Sequence, residues 1–304
     1  MTRMRAWLTA SALVPAAVVA GHGADRATPP EARIRGVYVT AVNATGAPVT
    51  DLAAADFSVK EGGKARDVIR VETAVAPMHI AILIDDDGTG LFRYGIARFL
   101  DRLLGRAEFA ISTVTGQTLK VADYTGSAEA LREALDKLRP RPGTPDGGQL
   151  LEGISEAARE LERRKAARPV IVALTVGGEE HSTLPAHHVL DQLRQSGASL
   201  HVVAVKGAGL RTPVAATRPS ALLGENLNLN EVLGDGPKQS GGHLDEIVAA
   251  AGISTGLEQL ADSLRRQYRI EYALPDGVKP SDRLSVSVKR SGVTLWAPTR
   301  IPDK

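Results

Sequence analysis

The hydrophobic positions change rhythm twice along the chain. From Ile34, apolar residues alternate with polar ones: Val37 and Val39, then Phe57 and Val59, then Ile69 and Val71. Period-two alternation predicts half-buried strands, with Thr45-Gly46 and Gly62-Gly63 as the turns between them. From Met78, short continuous apolar runs replace the alternation: IAILI at 80–84, PVIVALT at 169–175 and LHVVAV at 200–205. Each suits a strand buried on both faces. Between the runs, apolar residues fall at helical spacing. Phe92, Ile96, Phe99, Leu100 and Leu103 form one set, Leu131, Leu135 and Leu138 a second with Ser127 as its N-cap, Leu150, Leu151, Ile154, Ala158 and Leu161 a third, and Val189, Leu190 and Leu193 a fourth. Residues 107–115 and 118–124 read as a hairpin. Strands alternating with helices predict an α/β fold with a doubly wound, mostly parallel sheet.

After 205 the pattern weakens. Residues 206–242 are rich in Gly, Pro, Asn and Ser without a sustained period, and are expected to be a long loop. A helix is expected over 243–267, interrupted near Gly252. Alternation then returns at Tyr268, Ile270 and Tyr272, at Leu284, Val286 and Val288, and at Val293, Leu295 and Ala297. The β segments at the two ends are each too small to bury much alone. They are therefore expected to share one small β layer. The boundaries that follow are a signal at 1–24, a Pro-rich linker at 25–33, a β segment at 34–76, an α/β domain at 77–267 and a C-terminal β segment at 268–304.

The signal reading rests on Arg3 and Arg5 before a short apolar run from Ala6 to Ala20, broken by Pro15 and followed by small residues. The run is short for a membrane span, although a retained anchor is the alternative. Cleavage after Ala20 or Ala24 would leave a secreted or periplasmic protein without a membrane span. The 304-residue sequence contains no cysteine, so neither a disulfide nor a lipid-modified cysteine is available. A net charge of +2 with scattered basic residues argues against nucleic acid as the partner.

The chemistry concentrates at IDDDGTG, 84–90. Asp85, Asp86 and Asp87 follow a buried strand directly and are followed by Gly88, Thr89 and Gly90. Crowded carboxylates at such a place need a cation, hydrogen-bond donors or open water. The carboxyl end of a strand is also where open α/β sheets place ligands. Asp85 and Asp87 alternate onto one side of an extended chain, and Asp86 onto the other. The bland alternative is that the acidic loop is only a solvated turn.

Five stretches in order resemble the bacterial VWFA-related type of von Willebrand factor A domain protein. They are DLAAADFSVKEGGKARDV (51–68), HIAILIDDDGTG (79–90), PGTPDGGQLLEGI (142–154), PVIVALTVGGEE (169–180) and the closing helix and strand within 243–272. The resemblance implies a metal-ion-dependent adhesion site at the carboxyl edge of the sheet. Its ligands are an Asp and two Ser from the first loop, a Thr from the second and an Asp from the third. Oxygen donors of this kind suit Mg²⁺, Ca²⁺ or Mn²⁺. On this chain Asp85 holds the first Asp place, Asp87 and Thr89 stand where the serines are expected, and Thr144 fits the Thr place. Val176 replaces the last Asp and cannot ligate. The implied site is thus altered, and the implied function is binding of an unidentified protein partner, with no reaction, through loops 85–91, 143–148 and 176–183.

A rival reading comes from ILIDDDGTGL, which also resembles the nucleophile motif of haloacid dehalogenase-like phosphohydrolases. Asp85 would then accept the phosphoryl group and Asp87 act as general acid. That chemistry also needs a later Lys and an acidic pair after another apolar strand. Asp235 in LGDGPK lacks the apolar run. His181 lies close to the expected site, whereas the adjacent His187 and His188 diverge on a helix and read as surface residues. Ser182, Ser196 and Ser199 lack the context of a hydrolase nucleophile.

Overall fold

The computed structural model describes residues 33–86, 88–140, 147–177, 180–205 and 221–303, with the backbone alone at 221–226. The expected signal at 1–24 and nearly all of the linker lie outside the described residues.

Strand β1 (Arg33–Asn43) is followed by β2 (Phe57–Glu61), β3 (Lys64–Arg66) and β4 (Val68–Thr73). The α/β part then runs β5 (Met78–Asp85), α1 (Arg93–Leu103), β6 (Ala107–Thr113), β7 (Leu119–Thr125), α2 (Ala128–Lys137), α3 (Leu150–Arg163), β8 (Pro169–Thr175), α4 (Ala186–Ser196), β9 (Ser199–Val205), α5 (Ala221–Ser240), β10 (Leu244–Ile247) and α6 (Ile253–Arg265). Strands β11 (Tyr268–Leu274), β12 (Leu284–Val288) and β13 (Val293–Trp296) complete the described chain.

The central sheet has six strands in the order β10-β9-β8-β5-β6-β7. All neighbours are parallel except β6 and β7, the predicted hairpin. Strand β5 is buried on both faces, and its side chains divide by parity. Ile80, Ile82 and Ile84 enter a core with α1, α2 and α6, while Ala81 and Leu83 enter a second with α3, α4 and α5. A continuous apolar run has this meaning in a sheet covered on both sides. Ser127 caps α2 as expected, its hydroxyl accepting from Ala130 N at 3.4 Å.

Two expectations are corrected. The segment 206–242 is not irregular throughout, because Ala221–Ser240 is a helix. Leu229, Val232 and Leu233 pack it against the second core at helical spacing. Gly236 lets it approach β9, since a Cβ there would lie 2.8 Å from Leu200 Cδ2. The helix expected from residue 243 also starts later. Leu244–Ile247 is an edge strand parallel to β9, joined to it through Val202 N donating to His243 O at 2.8 Å.

The terminal β segments do pair: β1 lies between β11 and β13, and β4 borders β11. A second sheet, β12-β2-β3, faces the first, so the ends build two sheets where one layer was expected. Val39, Phe57, Val59, Tyr268, Ile270 and Tyr272 form their shared core. Gln267 ties this unit to the sequence entering β11, its Nε2 donating to Thr40 Oγ1 at 3.0 Å.

Candidate functional site

The chain leaves β5 for β6 on one side and returns to β8 on the other. The carboxyl ends of β5 and β8 therefore flank the point where strand order reverses, which is where doubly wound sheets form their crevice. Asp85 closes β5 at this point and is 3% exposed. Its Oδ2 accepts from the Thr175 hydroxyl at 2.7 Å, and its backbone oxygen accepts from Val176 N at 3.0 Å. Thr175 Oγ1 in turn accepts from Gly177 N at 3.0 Å. Gly148 forms the roof. A Cβ at that position would stand 2.7 Å from Asp85 Oδ1, so only glycine fits against this carboxylate without a shift.

Gly148 also joins the loops. It bridges to Thr115 on one side and Glu180 on the other, and its oxygen accepts from His181 N at 2.7 Å. Glu180 is 2% exposed and reaches the start of α3, whose N-cap residue Gln149 offers no side-chain bond. Its Oε2 accepts from Leu150 N at 3.2 Å and its Oε1 from Leu151 N at 3.3 Å and from the Ser182 hydroxyl. A carboxylate placed there meets two orphan amides and the positive end of the helix. Burial pushes Glu180 above the usual carboxylate range, against the downward pull of the Ser182 hydroxyl and the two amides.

The acidic loop folds back on itself. Asp86 is 5% exposed, with Oδ1 accepting from Gly88 N at 3.0 Å. The Thr89 hydroxyl donates to Asp86 O at 2.7 Å. Val176 packs as a partly buried side chain against the first core. Asp87 and Thr144 lie outside the described residues. Of the ligand set implied by the resemblance, the structure thus describes Asp85 and Thr89, each engaged in hydrogen bonds, and Val176, which has no donor atom. Among the described residues no group of three or more His, Cys, Asp or Glu side chains is placed to hold a metal ion. His187 and His188 are exposed on α4.

Sequence reasoning missed Thr175, and it placed Gly148 and Glu180 in the expected binding loops without giving either a role. Thr175 was legible as the last residue of an apolar strand beside the acidic one. Glu180 carried no signal beyond its place in the loop.

Numbered within the α/β part, the strands lie in the order 3-2-1-4-5-6, with the third antiparallel. The acidic loop sits at the switch between the first and the fourth. This strand order, with helices packed on both faces, makes the domain a doubly wound, mostly parallel α/β fold. No protein-family model and no curated protein matches the chain. Similar solved structures include proximal thread matrix protein 1 of the mussel byssus, described with a zinc-occupied MIDAS motif, at 17% identity over 67% of this chain and 49% of that one, TM-score 0.46. A von Willebrand factor type A protein from Catenulispora acidiphila is 12% identical over 91% of this chain and 75% of that one, TM-score 0.47. The pilus adhesin SpaC from Lactobacillus rhamnosus GG is 10% identical over 81% and 48%, TM-score 0.42. The chain spans about half the length of the mussel protein and of the pilus adhesin.

Among the described residues, no helix is long and apolar enough to cross a membrane.

Proposed function

We propose that the protein is an exported binding module that engages a protein partner through the loops at the carboxyl edge of its central sheet. The observation that carries the reading is the joining of the loops after β5, before α3 and after β8 around Asp85 and Gly148. A crevice at the switch point, braced by hydrogen bonds within its own loops, is a preorganised surface. His181 is exposed at its rim.

The same geometry favours binding over phosphoryl transfer. A phosphoryl acceptor needs a free carboxylate oxygen facing the substrate. Asp85 is buried, bonded to Thr175 and roofed by Gly148. Assistance by Mg²⁺ or Ca²⁺ is a secondary part of the proposal and rests on Asp85, Asp87, Thr89 and Thr144. Export to the periplasm or beyond rests on the N-terminal pattern.

Photo-crosslinking in the producing cells tests the binding face. A photoreactive residue at His181 should give a protein adduct. The same residue at Leu104, exposed before the amino end of β6, should not. An adduct from Leu104 alone would overturn the assignment of the face.

A further inference from the structure

A cavity of about 350 Å³ lies far from the Asp85 crevice. It is lined by Pro169 and Ser199, the first residues of β8 and β9, so it sits at the amino end of the central sheet. Its other wall comes from β1 and from the segment after β13, including Arg35, Tyr38 and Arg300. It therefore occupies the seam between the α/β part and the paired terminal strands.

The charge in this seam is unbalanced. Arg35 is matched by Glu61 at 2.5 Å, and Arg300 by Asp282. Arg168, which also lines the cavity, is 3% exposed and pairs with no carboxylate among the described residues. Its Nε and Nη2 donate to Gln267 Oε1 at 3.0 and 2.7 Å, and Nη2 also to Leu264 O in the last turn of α6. Its Cζ stands 5.5 Å from the centre of the Tyr38 ring. These are dipolar and quadrupolar partners, and they leave Nη1 without a hydrogen bond to any described residue. The Tyr38 hydroxyl likewise makes none. Burial lowers the Arg168 guanidinium to about 10, the mark of a charge held out of water without a counter-ion.

A buried guanidinium without an acid is costly unless something supplies the missing negative charge. The cavity has the volume of a small-ligand site, about 300–1,000 Å³. Its wall carries an excess positive charge and free donors. We propose that it is an oxyanion site, binding the carboxylate or phosphate group of a small solute between Arg168 and Arg300, with Tyr38 as a further donor. Guanidinium groups suit either oxyanion, because their planar fork donates two parallel bonds. Occupation would join the two parts of the fold and stabilise both.

The test uses the full chain, with inorganic phosphate and succinate as probes and sodium chloride at matched ionic strength as reference. Melting temperature should rise saturably with one probe or both, beyond the chloride reference, because a ligand that binds only the folded state stabilises it. A response to phosphate alone assigns a phosphate-bearing ligand, and one to succinate alone a carboxylate. Arg168→Gln should abolish the response. Arg300→Ala should raise the half-saturation concentration about tenfold, the loss of one charge-assisted contact. Should Arg168→Gln not fold, the half-exposed Arg300 decides alone. The proposal is overturned if neither probe acts up to about 20 mM, where a millimolar site is well past half-saturation. A response equal in wild type and Arg300→Ala overturns it as well.

Discussion

Replacing Glu180 should destabilise the fold, although it lies on a loop. The Glu180 carboxylate is the partner of Leu150 N and Leu151 N, and both residues are at most 1% exposed. Glu180→Ala would leave two buried amides at the start of α3 unsatisfied. Each orphaned buried group costs about 1–3 kcal/mol, and loss of the anion at a helix N-terminus adds about 0.3–1 kcal/mol. Relief of the buried charge offsets part of this, since burial disfavours the ionised form. A net loss of about 2–4 kcal/mol remains. At about 2–4 °C per kcal/mol for a fold of this size, the melting temperature should fall by about 4–16 °C. Glu180→Gln should cost less. One oxygen still serves Leu151 N and Ser182, but the new amide group places a donor against Leu150 N.

Thermal melts of the three proteins followed by circular dichroism test this, and melts across pH add a second check. The folded-state value of Glu180 is raised, so folding favours its protonated form. The stability linked to that shift is fully present below the ordinary carboxylate value of about 4.3, and is lost as pH rises through the raised folded value. Wild type should therefore lose stability relative to Glu180→Gln across that window. Melting temperatures equal to wild type in both variants would refute the cap. A pH difference of opposite sign would refute the assigned cause of the shift.

His201 is fully buried, and burial lowers it to about 3, so acid should unfold the protein as this imidazole is forced to charge. The stability it carries is present above about 6.5 and lost as pH falls from there toward 3, and His201→Phe should flatten the melting curve over that window. Val176→Asp returns a carboxylate beside Asp85 and should strengthen Mg²⁺ or Ca²⁺ binding above wild type in calorimetric titration. No heat and no stabilisation in either protein would dismiss the metal site. Deleting residues 34–72 strips β11 of both its sheet neighbours and should cost solubility, and unchanged melting of the truncated chain would contradict this. The exported form should begin near Gly21 or Asp25 by N-terminal sequencing, whereas an intact Met1 on membrane-recovered protein would indicate an anchor.

The strands buried on both faces were the most legible part of the chain, because every residue of β5, β8 and β9 except His79, Asp85 and His201 is apolar or small. Helices α1 and α3 were legible for the complementary reason, each carrying one apolar stripe. The misreadings occur where tertiary context outweighs local pattern. Residues 244–247 have Leu and Ile three apart, a helical spacing, yet they form an edge strand on β9. Helix α5 contains Gly234, Gly236 and Pro237, which argue for a loop. Gly236 is there because Leu200 comes close, a fact about β9 that no window on 221–240 contains. The site shows the same division. Asp85 was legible because a carboxylate after five apolar residues demands an explanation. Glu180 was not, because its partners are the amides of a helix thirty residues earlier.

The relation between Asp85 and Gly148 bears on how this site departs from the set its motifs imply. A carboxylate that serves an ion keeps an oxygen lone pair open to the crevice. Here one oxygen is held by Thr175, which ties the end of β5 to the end of β8, and the other faces Gly148 at a distance that leaves no room for a Cβ. Val176, at the place where the resemblance implies an Asp, offers no side-chain donor atom to that carboxylate. Its amide donates to Asp85 O while its partly buried side chain packs against the first core. Thr175→Val should then loosen the crevice, by removing the donor to Asp85, more than any change at exposed His181. Amide exchange at Gly148, Gln149 and His181 should rise in Thr175→Val and stay unchanged in His181→Ala. Equal exchange in the two variants would mean that the loops are held by something other than this carboxylate.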